Sequence, residues 1–324
     1  MRAALLVTVG ALVACRATPL PRDQVYPAGT TLTARYTRVD GTNIRYVDAG
    51  RGTPVIFLHG FGASIYAWRD ILAPVAAAGF RAVAFDNRGF GLSEKPVTGY
   101  GNADYSRLLA AFMDSLAIPD AVIVGHSMGG AVAAEFALTY PNRVRGLVLM
   151  DAAGFGVRVP FVLRLASWPG VGRIVSGLRG RWITGRLLRS TYAHPRMVRD
   201  GDVDQYYAPV ADPDFGRALR GVLAHFRFDT LRGRLSSIAK PTLVLWGEED
   251  QWIPLWIGRA MALELPRSAL LTVPKAGHAI TEEAPAEVAR LLIAFLLRGV
   301  PAPPADLASA SSHGYVSSTI WLRK

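Results

Sequence analysis

Short apolar runs, rich in β-branched residues, alternate along the chain with segments of helical periodicity. The runs are VIFLHG, AVAFDNRG, AVIVGHS, VRGLVLMD, TLVLWGEED and ALLTVPKAGH. The intervening segments predict helices near residues 66–78, 104–116, 128–139, 257–263 and 281–297. Buried strands that alternate with helices form right-handed βαβ units, so this pattern predicts a mostly parallel, twisted sheet with helices on both faces.

Two segments depart from this alternation. Residues 31–47 switch between apolar and polar positions around an Asp40-Gly41 turn, which is typical of a β-hairpin. After Asp151, about eighty residues have helical patterns and no strand of the earlier type. We therefore predict an α/β core over residues 30–154 and 236–299, with a helical cap inserted over residues 155–235.

The chain begins with MRAALLVTVGALVAC, in which Arg2 precedes a short apolar run. That run suits the hydrophobic region of a signal peptide and is too short to span a bilayer. Its last residues, LVAC, resemble the bacterial lipobox, whose cysteine becomes lipidated. Cys15 is the only cysteine in the chain, which excludes an internal disulfide and leaves lipidation as its explanation. The alternative is an ordinary cleaved signal in which the cysteine stands by chance.

These features predict a signal peptide with lipobox over residues 1–15, and a protein exported to the bacterial cell envelope and anchored there by lipid. Arginine follows Cys15, which points to the outer membrane. Residues 16–29 are polar and rich in proline, as in a linker. Residues 300–324 begin with prolines and alanines and predict a poorly ordered tail.

The composition supports a folded protein with a large core, since 51% of its 324 residues are hydrophobic. The net charge of +11 comes almost entirely from arginine, because the chain has only four lysines. No zinc-finger, RNA-binding or helix-turn-helix pattern accompanies this charge, so we expect no nucleic-acid partner. Nine arginines and no acidic residue lie between Arg158 and Arg199, interleaved with Phe161, Trp168, Trp182 and Ile183. That mixture favours a membrane surface, although a solvated arginine-rich helix face explains it equally well.

The segment GHSMGG follows the apolar run AVIV and precedes a helix of small residues. It satisfies the G-x-S-x-G nucleophile elbow, in which a sharp strand-to-helix turn exposes a serine above the sheet. The helix N-terminus behind Ser127 would direct N–H groups and a positive dipole end at an oxyanion. The competing interpretation is a glycine-rich turn with an idle serine.

A serine nucleophile needs a histidine base and a carboxylate that orients it. Asp250 ends the loop after TLVLW, and His278 follows LLTVP. Both positions fall at one edge of a parallel sheet, where such sheets build their sites. Asp151, after the strand LVLM, is the alternative acid, and we favour Asp250 from its loop pattern.

With these residues in view, the chain from Thr31 to Arg298 resembles the α/β-hydrolase fold superfamily, as a serine esterase or lipase with a helical cap. Four further segments agree: HGFGAS, DNRGFGLSEKP, GEED and AGHA. The resemblance implies an oxyanion hole made of the backbone N–H groups of Phe61 and Met128. Candidate pocket residues are His59, Gly60, His126 and Trp168, and we favour structural roles for the two histidines. The resemblance implies no cofactor, and the sequence has no metal-binding motif.

Serine at the elbow disfavours dehalogenases and epoxide hydrolases, which resemble each other in using aspartate there. The sequence therefore predicts hydrolysis of carboxylic esters through an acyl-enzyme. The expected substrates are acyl lipids or esters with an acyl chain of medium length. A C–C bond hydrolase is an alternative, but that group usually has asparagine where His126 stands and tryptophan where Ala279 stands. A cofactor-free perhydrolase or haloperoxidase-like enzyme uses the same three residues. A lipid-anchored binding protein that has lost catalysis is the non-enzymatic alternative.

Overall fold

The computed structural model describes residues 18–156 and 180–300, together with the backbone of residues 315–316 and 319–320. Cys15, Trp168 and the proposed signal peptide lie outside the described residues. The strands are β1 (Arg35–Val39), β2 (Thr42–Ala49), β3 (Pro54–Leu58), β4 (Arg81–Phe85), β5 (Ala121–His126), β6 (Val144–Met150), β7 (Thr242–Gly247), β8 (Ser268–Val273), β9 (Tyr315–Val316) and β10 (Thr319–Ile320).

These strands form one sheet in the order β1-β2-β4-β3-β5-β6-β7-β8-β10-β9. The six strands β4, β3, β5, β6, β7 and β8 run parallel, and β1 and β2 add an antiparallel edge. The hairpin turns at Asp40 and Gly41, both with positive φ, as a two-residue turn of this kind requires. The fold is therefore that of an α/β hydrolase, as the alternation of strands and helices predicted.

Helices cover both faces of the sheet and form the cap. They are α1 (Leu72–Ala77), α2 (Asn102–Ser115), α3 (Met128–Thr139), α4 (Arg181–Ser190), α5 (Asp200–Val210), α6 (Phe215–His225), α7 (Leu255–Glu264), α8 (Ile280–Glu283) and α9 (Pro285–Arg298). Short 3₁₀ helices span Arg22–Gln24, Ile65–Trp68, Pro141–Arg143, Pro195–Met197 and Leu235–Ser237. No helix among the described residues is long and apolar enough to cross a membrane.

Burial on both faces explains the continuous apolar runs of the central strands. Alternate residues of β3 and β5 point into different core clusters: Ile56 and Ile123 pack into one, and Val55 and Val124 into the other. Every residue of β5 is buried. The strand is therefore apolar from Ala121 to Val124, and it carries the serine to the carboxyl end of the sheet, between β3 and β6.

Where it is described, the predicted cap consists of the helices α4, α5 and α6 with loops between them, and it has no strand. Leu188 of α4 and Val203 of α5 form a small apolar cluster with Ala279, which directly follows the histidine predicted as the base. The cap thus packs against the loop that carries His278.

The structure corrects three expectations. Residues 18–29 pack onto the domain and do not form a free linker: Val25 and Tyr26 are buried, Arg45 donates to both of their carbonyl oxygens, and the Tyr26 N–H bonds Gln205 of α5 at 2.8 Å. The predicted tail contains β9 and β10, and β10 pairs with β8. The predicted helix over residues 281–297 is split into α8 and α9, because Pro285 begins a new helix and has no N–H to continue the first.

Candidate active site

Ser127 occupies the turn between β5 and α3 with φ 54° and ψ −119°, a backbone conformation that non-glycine residues rarely adopt. Neighbouring glycines make the turn possible. A Cβ atom at Gly125 would lie 2.3 Å from the Gly129 carbonyl oxygen, and one at Gly129 would lie 2.2 Å from the Leu58 carbonyl oxygen. Both glycines of the G-x-S-x-G pattern are therefore required by close backbone contacts, as the elbow interpretation predicts.

The three residues chosen from the sequence form one hydrogen-bonded chain. The Nε2 atom of His278 lies 2.9 Å from Ser127 Oγ, and its Nδ1 atom lies 2.8 Å from Asp250 Oδ2. Asp250 follows β7 and His278 follows β8, so adjacent strands bring both to the serine. All three side chains are buried. With Nδ1–H donating to the carboxylate, Nε2 is the acceptor that can take the serine proton.

The Asp250 carboxylate is itself fixed by its loop. Its Oδ1 atom accepts from the backbone N–H groups of Trp252 and Ile253 at 2.7 and 2.8 Å, which leaves Oδ2 directed at the imidazole. The Trp252 ring stacks on His278 with centroids 6.0 Å apart and an angle of 11°. Sequence reasoning missed Trp252, although its place two residues after the acid was a usable signal.

Asp151, the alternative acid, lies beneath this chain and does not contact His278 through a hydrogen bond among the described residues. It is fully buried after β6, and its Oδ1 atom accepts from the Gly247 N–H at 2.8 Å. Burial, with the negative charge of Asp250 next in importance, raises the pKa of Asp151 well above its usual range. Asp151 is therefore a buried acid with a raised pKa, and Asp250 is the acid whose carboxyl group contacts His278.

The loop after β3 packs tightly against the elbow. A Cβ atom at Gly60 would lie 3.1 Å from the Cβ of Ser127 and 3.1 Å from Nδ1 of His126, so glycine permits this approach. Phe61 follows in that loop, and Met128 is the first residue of α3. Neither backbone N–H donates to an acceptor elsewhere in the described chain. Both N–H groups therefore stay the candidates for the oxyanion hole that the resemblance implies.

His59 is held by hydrogen bonds from both ring nitrogens. It is fully buried, its Nδ1 atom donates to the Gly60 carbonyl oxygen at 2.8 Å, and its Nε2 atom accepts from the Asn87 N–H at 2.9 Å. Burial lowers its pKa, so it is neutral. His59 therefore ties the oxyanion loop to the DNRG segment.

His126 likewise supports the site from behind. Its Nε2 atom lies 2.7 Å from the backbone carbonyl oxygen of His278, and the two rings are 4.9 Å apart. Burial, with a further contribution from His278, lowers the pKa of His126 to about 3. The ring is therefore neutral, and its Nε2–H donates to the carbonyl.

Glu283, which the sequence analysis did not single out, joins the histidine loop to the cap. One carboxylate oxygen accepts from the Gly277 N–H at 2.7 Å, and the other accepts from the His194 N–H of the cap at 3.0 Å. Next to it, Glu282 accepts from the Tyr206 hydroxyl of α5 at 2.5 Å and pairs with Arg69. Glu282 and Glu283 thus join the segment after His278 to the cap and to Arg69.

An aromatic group borders the oxyanion loop. The Phe61 ring contacts Phe90 with centroids 5.5 Å apart and Phe228 at 6.5 Å, and Phe226 continues the group. Phe90 and Phe226 are buried, whereas Phe61 and Phe228 are only partly buried. No group of three or more histidine, cysteine, aspartate or glutamate residues in the described parts of the chain could hold a metal ion.

An elbow serine, a histidine and a buried aspartate, hydrogen-bonded in this order at the edge of a parallel sheet, define a hydrolase of the nucleophile-elbow class. The comparison with protein families agrees. The alpha/beta hydrolase fold family matches residues 53–285, and the chain belongs to this family.

Relatives of known sequence or structure are similar over most of the chain. The 2-hydroxymuconate semialdehyde hydrolase of Pseudomonas sp. (strain CF600) is 32% identical over 260 residues, which cover 77% of this chain and 88% of the relative. A meta-cleavage product hydrolase from Pseudomonas fluorescens is 26% identical with a TM-score of 0.72, covering 81% of this chain and 97% of its own. A membrane phospholipase A, described as a bacterial virulence factor, is 27% identical with a TM-score of 0.70, covering 82% and 86%.

Proposed function

We propose that this hydrolase cleaves carboxylic esters through an acyl-enzyme, with Ser127 as nucleophile, His278 as general acid and base, and Asp250 as the carboxylate that orients the histidine. The observation that carries the proposal is the chain of hydrogen bonds at 2.9 and 2.8 Å that joins these side chains. Its distances allow proton transfer without rearrangement.

In acylation, Ser127 Oγ attacks the ester carbonyl carbon while its proton passes to His278 Nε2. The Phe61 and Met128 N–H groups stabilise the resulting oxyanion, and losing one such donor costs about 10²–10³-fold in turnover. The Asp250 carboxylate stabilises the imidazolium. The intermediate then collapses, the C–O bond to the alcohol breaks, and the leaving alkoxide takes the proton from Nε2.

In deacylation, water occupies the place of the alcohol. His278 Nε2 removes a proton as the water oxygen attacks the acyl carbon, and the same oxyanion donors act again. When this second intermediate collapses, the proton returns to Ser127 Oγ and the carboxylic acid is released. The cycle uses no cofactor and consumes one water per ester.

The partly buried rings of Phe61 and Phe228, 6.5 Å apart, support an apolar acyl group as the part of the substrate beside the serine. Burial of an alkyl chain against such a surface contributes about 0.8 kcal/mol per methylene. We therefore assign acyl lipids or medium-chain esters as the substrate class. The similarity to a solved membrane phospholipase A supports this assignment.

A second candidate is hydrolysis of a C–C bond in a dienoic acid, which the similarity to named semialdehyde and meta-cleavage product hydrolases favours. Two residues of this chain disfavour C–C bond hydrolysis. His126 stands where that group usually has asparagine. Ala279 packs among Leu188, Tyr192 and Val203 under the cap, which leaves no room for the tryptophan usual there.

Export and lipidation of Cys15 complete the proposal for where the enzyme acts. The support is the signal-like sequence of residues 1–15 and the absence of another cysteine in the chain. Metabolic labelling with a palmitate analogue should mark the parent protein and not Cys15→Ser. Equal labelling of both would remove lipidation from the proposal.

The deciding experiment compares p-nitrophenyl esters of rising acyl length with a 2-hydroxy-6-oxo-dienoate, using the parent, Ser127→Ala and Ser106→Ala. Ser106 is a buried serine of α2, distant in the chain from the site, and serves as the matched control. We expect ester turnover with a medium-chain optimum, lost only in Ser127→Ala. A fluorophosphonate probe should label the parent and Ser106→Ala. Faster turnover of the dienoate than of every ester would instead favour the C–C hydrolase.

A further inference from the structure

The helix α4 and the turn after it present large apolar side chains to solvent. Trp182 is 71% exposed, Met197 45% and Leu187 39%. Over the described residues, eight large hydrophobic side chains are exposed, and these three fall within sixteen positions of one another. Such a concentration on a surface indicates a binding face, because no packing among residues 18–156 and 180–300 covers these side chains.

The opposite side of α4 packs on the protein, so the exposed side is a distinct face. A Cβ atom at Gly185 would contact Val203 of α5 at 3.3 Å, and Leu188 is buried beside it. Trp182 and Leu187 of the same helix are exposed on either side of this buried strip. The packing of Gly185 and Leu188 against α5 therefore leaves Trp182 and Leu187 in solvent.

Arginines surround the exposed apolar side chains. Five lie between positions 180 and 199, and no acidic residue does: Arg181, Arg186, Arg189, Arg196 and Arg199. Asp200 borders the group and lies 3.5 Å from Arg181 and 3.8 Å from Arg189. Arg186, Arg196 and Arg199 are exposed and form no ion pair with a carboxylate in the parts of the chain that the structure describes. The Arg186 guanidinium lies over the Trp182 ring at 5.0 Å.

We propose that this face, defined as Trp182, Arg186, Leu187, Arg196, Met197 and Arg199, docks on the surface of an anionic lipid membrane. Exposed tryptophan and aliphatic side chains enter the interface between headgroups and acyl chains, while arginines beside them bind lipid phosphates. A ligand bound by charge alone would not account for the exposed apolar side chains. An apolar partner without charge would not account for the three exposed arginines.

The same helix ends on the loop of the catalytic histidine. The Ser190 carbonyl oxygen accepts from the Trp252 indole N–H at 2.8 Å, and the Thr191 carbonyl oxygen accepts from the Ala279 N–H at 3.0 Å. Docking through α4 therefore holds the cap side of the site against the membrane. The docking does not depend on which bond the enzyme cleaves; delivery of a lipid ester to Ser127 does rest on the proposed ester hydrolysis.

Sedimentation with vesicles tests the docking directly. The full chain is mixed with phosphatidylcholine vesicles, either pure or containing phosphatidylglycerol, so that any contribution of residues 1–15 is the same in every variant. The test variant combines Arg186→Gln, Arg196→Gln and Arg199→Gln. The control combines Arg107→Gln, Arg145→Gln and Arg290→Gln, which removes the same charge from exposed arginines on α2, β6 and α9.

We expect the parent to bind anionic vesicles more tightly than neutral ones. Each arginine near an anionic surface contributes about fivefold, so the test variant should lose on the order of 100-fold in affinity for anionic vesicles while the control keeps its affinity. Trp182→Ala should weaken binding about tenfold, with an unchanged salt dependence. Turnover of a short, soluble ester should be the same in all of these proteins, so that loss of docking is distinguished from loss of the active site.

Three results would overturn the proposal. Equal losses in the test and control variants would mean that only net charge matters. Equal binding of the parent to neutral and anionic vesicles would mean that the N-terminal segment alone holds the protein on lipid. Retained vesicle binding in the test variant, with loss of binding to a DNA oligonucleotide, would make the face a nucleic-acid site instead.

Discussion

The His126 ring donates from Nε2 to the backbone carbonyl oxygen of His278 at 2.7 Å, although 152 positions separate the two residues. The residue before the nucleophile therefore fixes the main chain of the general base. Because Ser127 follows His126 directly, the elbow and the histidine loop are held together by this bond as well as by the bond between Ser127 and His278. Two predictions follow from this contact.

We expect His126→Phe to lower kcat by about 10–100-fold with a small change in KM, because an aromatic ring is kept but the His278 carbonyl loses its donor and the imidazole of His278 shifts. The pH profile of kcat/KM should keep its shape, since His126 stays neutral. Steady-state kinetics on a soluble ester measures both. An unchanged kcat would show that the contact does not position His278.

The same variant should change how stability depends on pH. The pKa of His126 is lowered to about 3 in the folded protein, whereas the unfolded chain binds a proton near pH 6.5. Acidification from pH 7.5 to pH 5 thus favours the unfolded state of the parent by about 2 kcal/mol through this group, and His126→Phe removes that penalty. Urea unfolding at both pH values should show the gap between parent and variant narrowing at pH 5. A gap independent of pH would contradict a neutral His126.

Asp151→Asn should raise stability relative to the parent as the pH increases. The raised pKa of Asp151 means that the folded state keeps a proton that the unfolded state releases above about pH 4, so the parent loses about 1.4 kcal/mol per pH unit within that window. Asparagine retains an acceptor for the Gly247 N–H and has no proton to hold. Thermal unfolding at pH 4.5 and pH 8 checks the trend.

Asp120→Asn, an exposed aspartate paired with Arg145, is the control and should show no comparable trend. Esterase activity of Asp151→Asn should stay within about fivefold of the parent, since the amide N–H can take the place of the carboxyl proton beneath Asp250. A loss as large as that of Asp250→Asn would show that Asp151 is the orienting acid.

Glu283→Ala should reduce kcat by about 10-fold or more, because the Gly277 N–H and the His194 N–H lose their shared acceptor and the histidine loop loosens. Glu283→Gln, which keeps one acceptor oxygen, should recover most of this loss. Glu287→Ala, which breaks an exposed pair with Arg290, should have no effect on kcat. Equal kcat values for Glu283→Ala and the parent would remove Glu283 from any positioning role.

Local patterns were sufficient to predict the elements that carry the site. The helix predicted over residues 128–139 has those bounds in the structure, and the predicted Asp40-Gly41 turn is the hairpin turn. Both signals involve only neighbouring residues. The helix begins directly after the turn at Ser127, and a two-residue hairpin loop needs residues that tolerate positive φ. The helix predicted over residues 66–78 was less accurate. It consists of a 3₁₀ turn and α1, with Arg69, Asp70 and Ile71 between them.

The sequence by itself determined the elbow, the chain order of serine, acid and histidine, and the sheet on which they stand, because strand periodicity and glycine requirements are written in neighbouring residues. It left open whether Asp151 or Asp250 orients the base. Only tertiary structure decided this, since the choice depends on which carboxyl group the β7 loop directs at His278 and which one lies in the core against the Gly247 N–H. The docking of Tyr26 on the domain and the bridge through Glu283 were decided in the same way, by contacts between segments more than eighty positions apart in the chain.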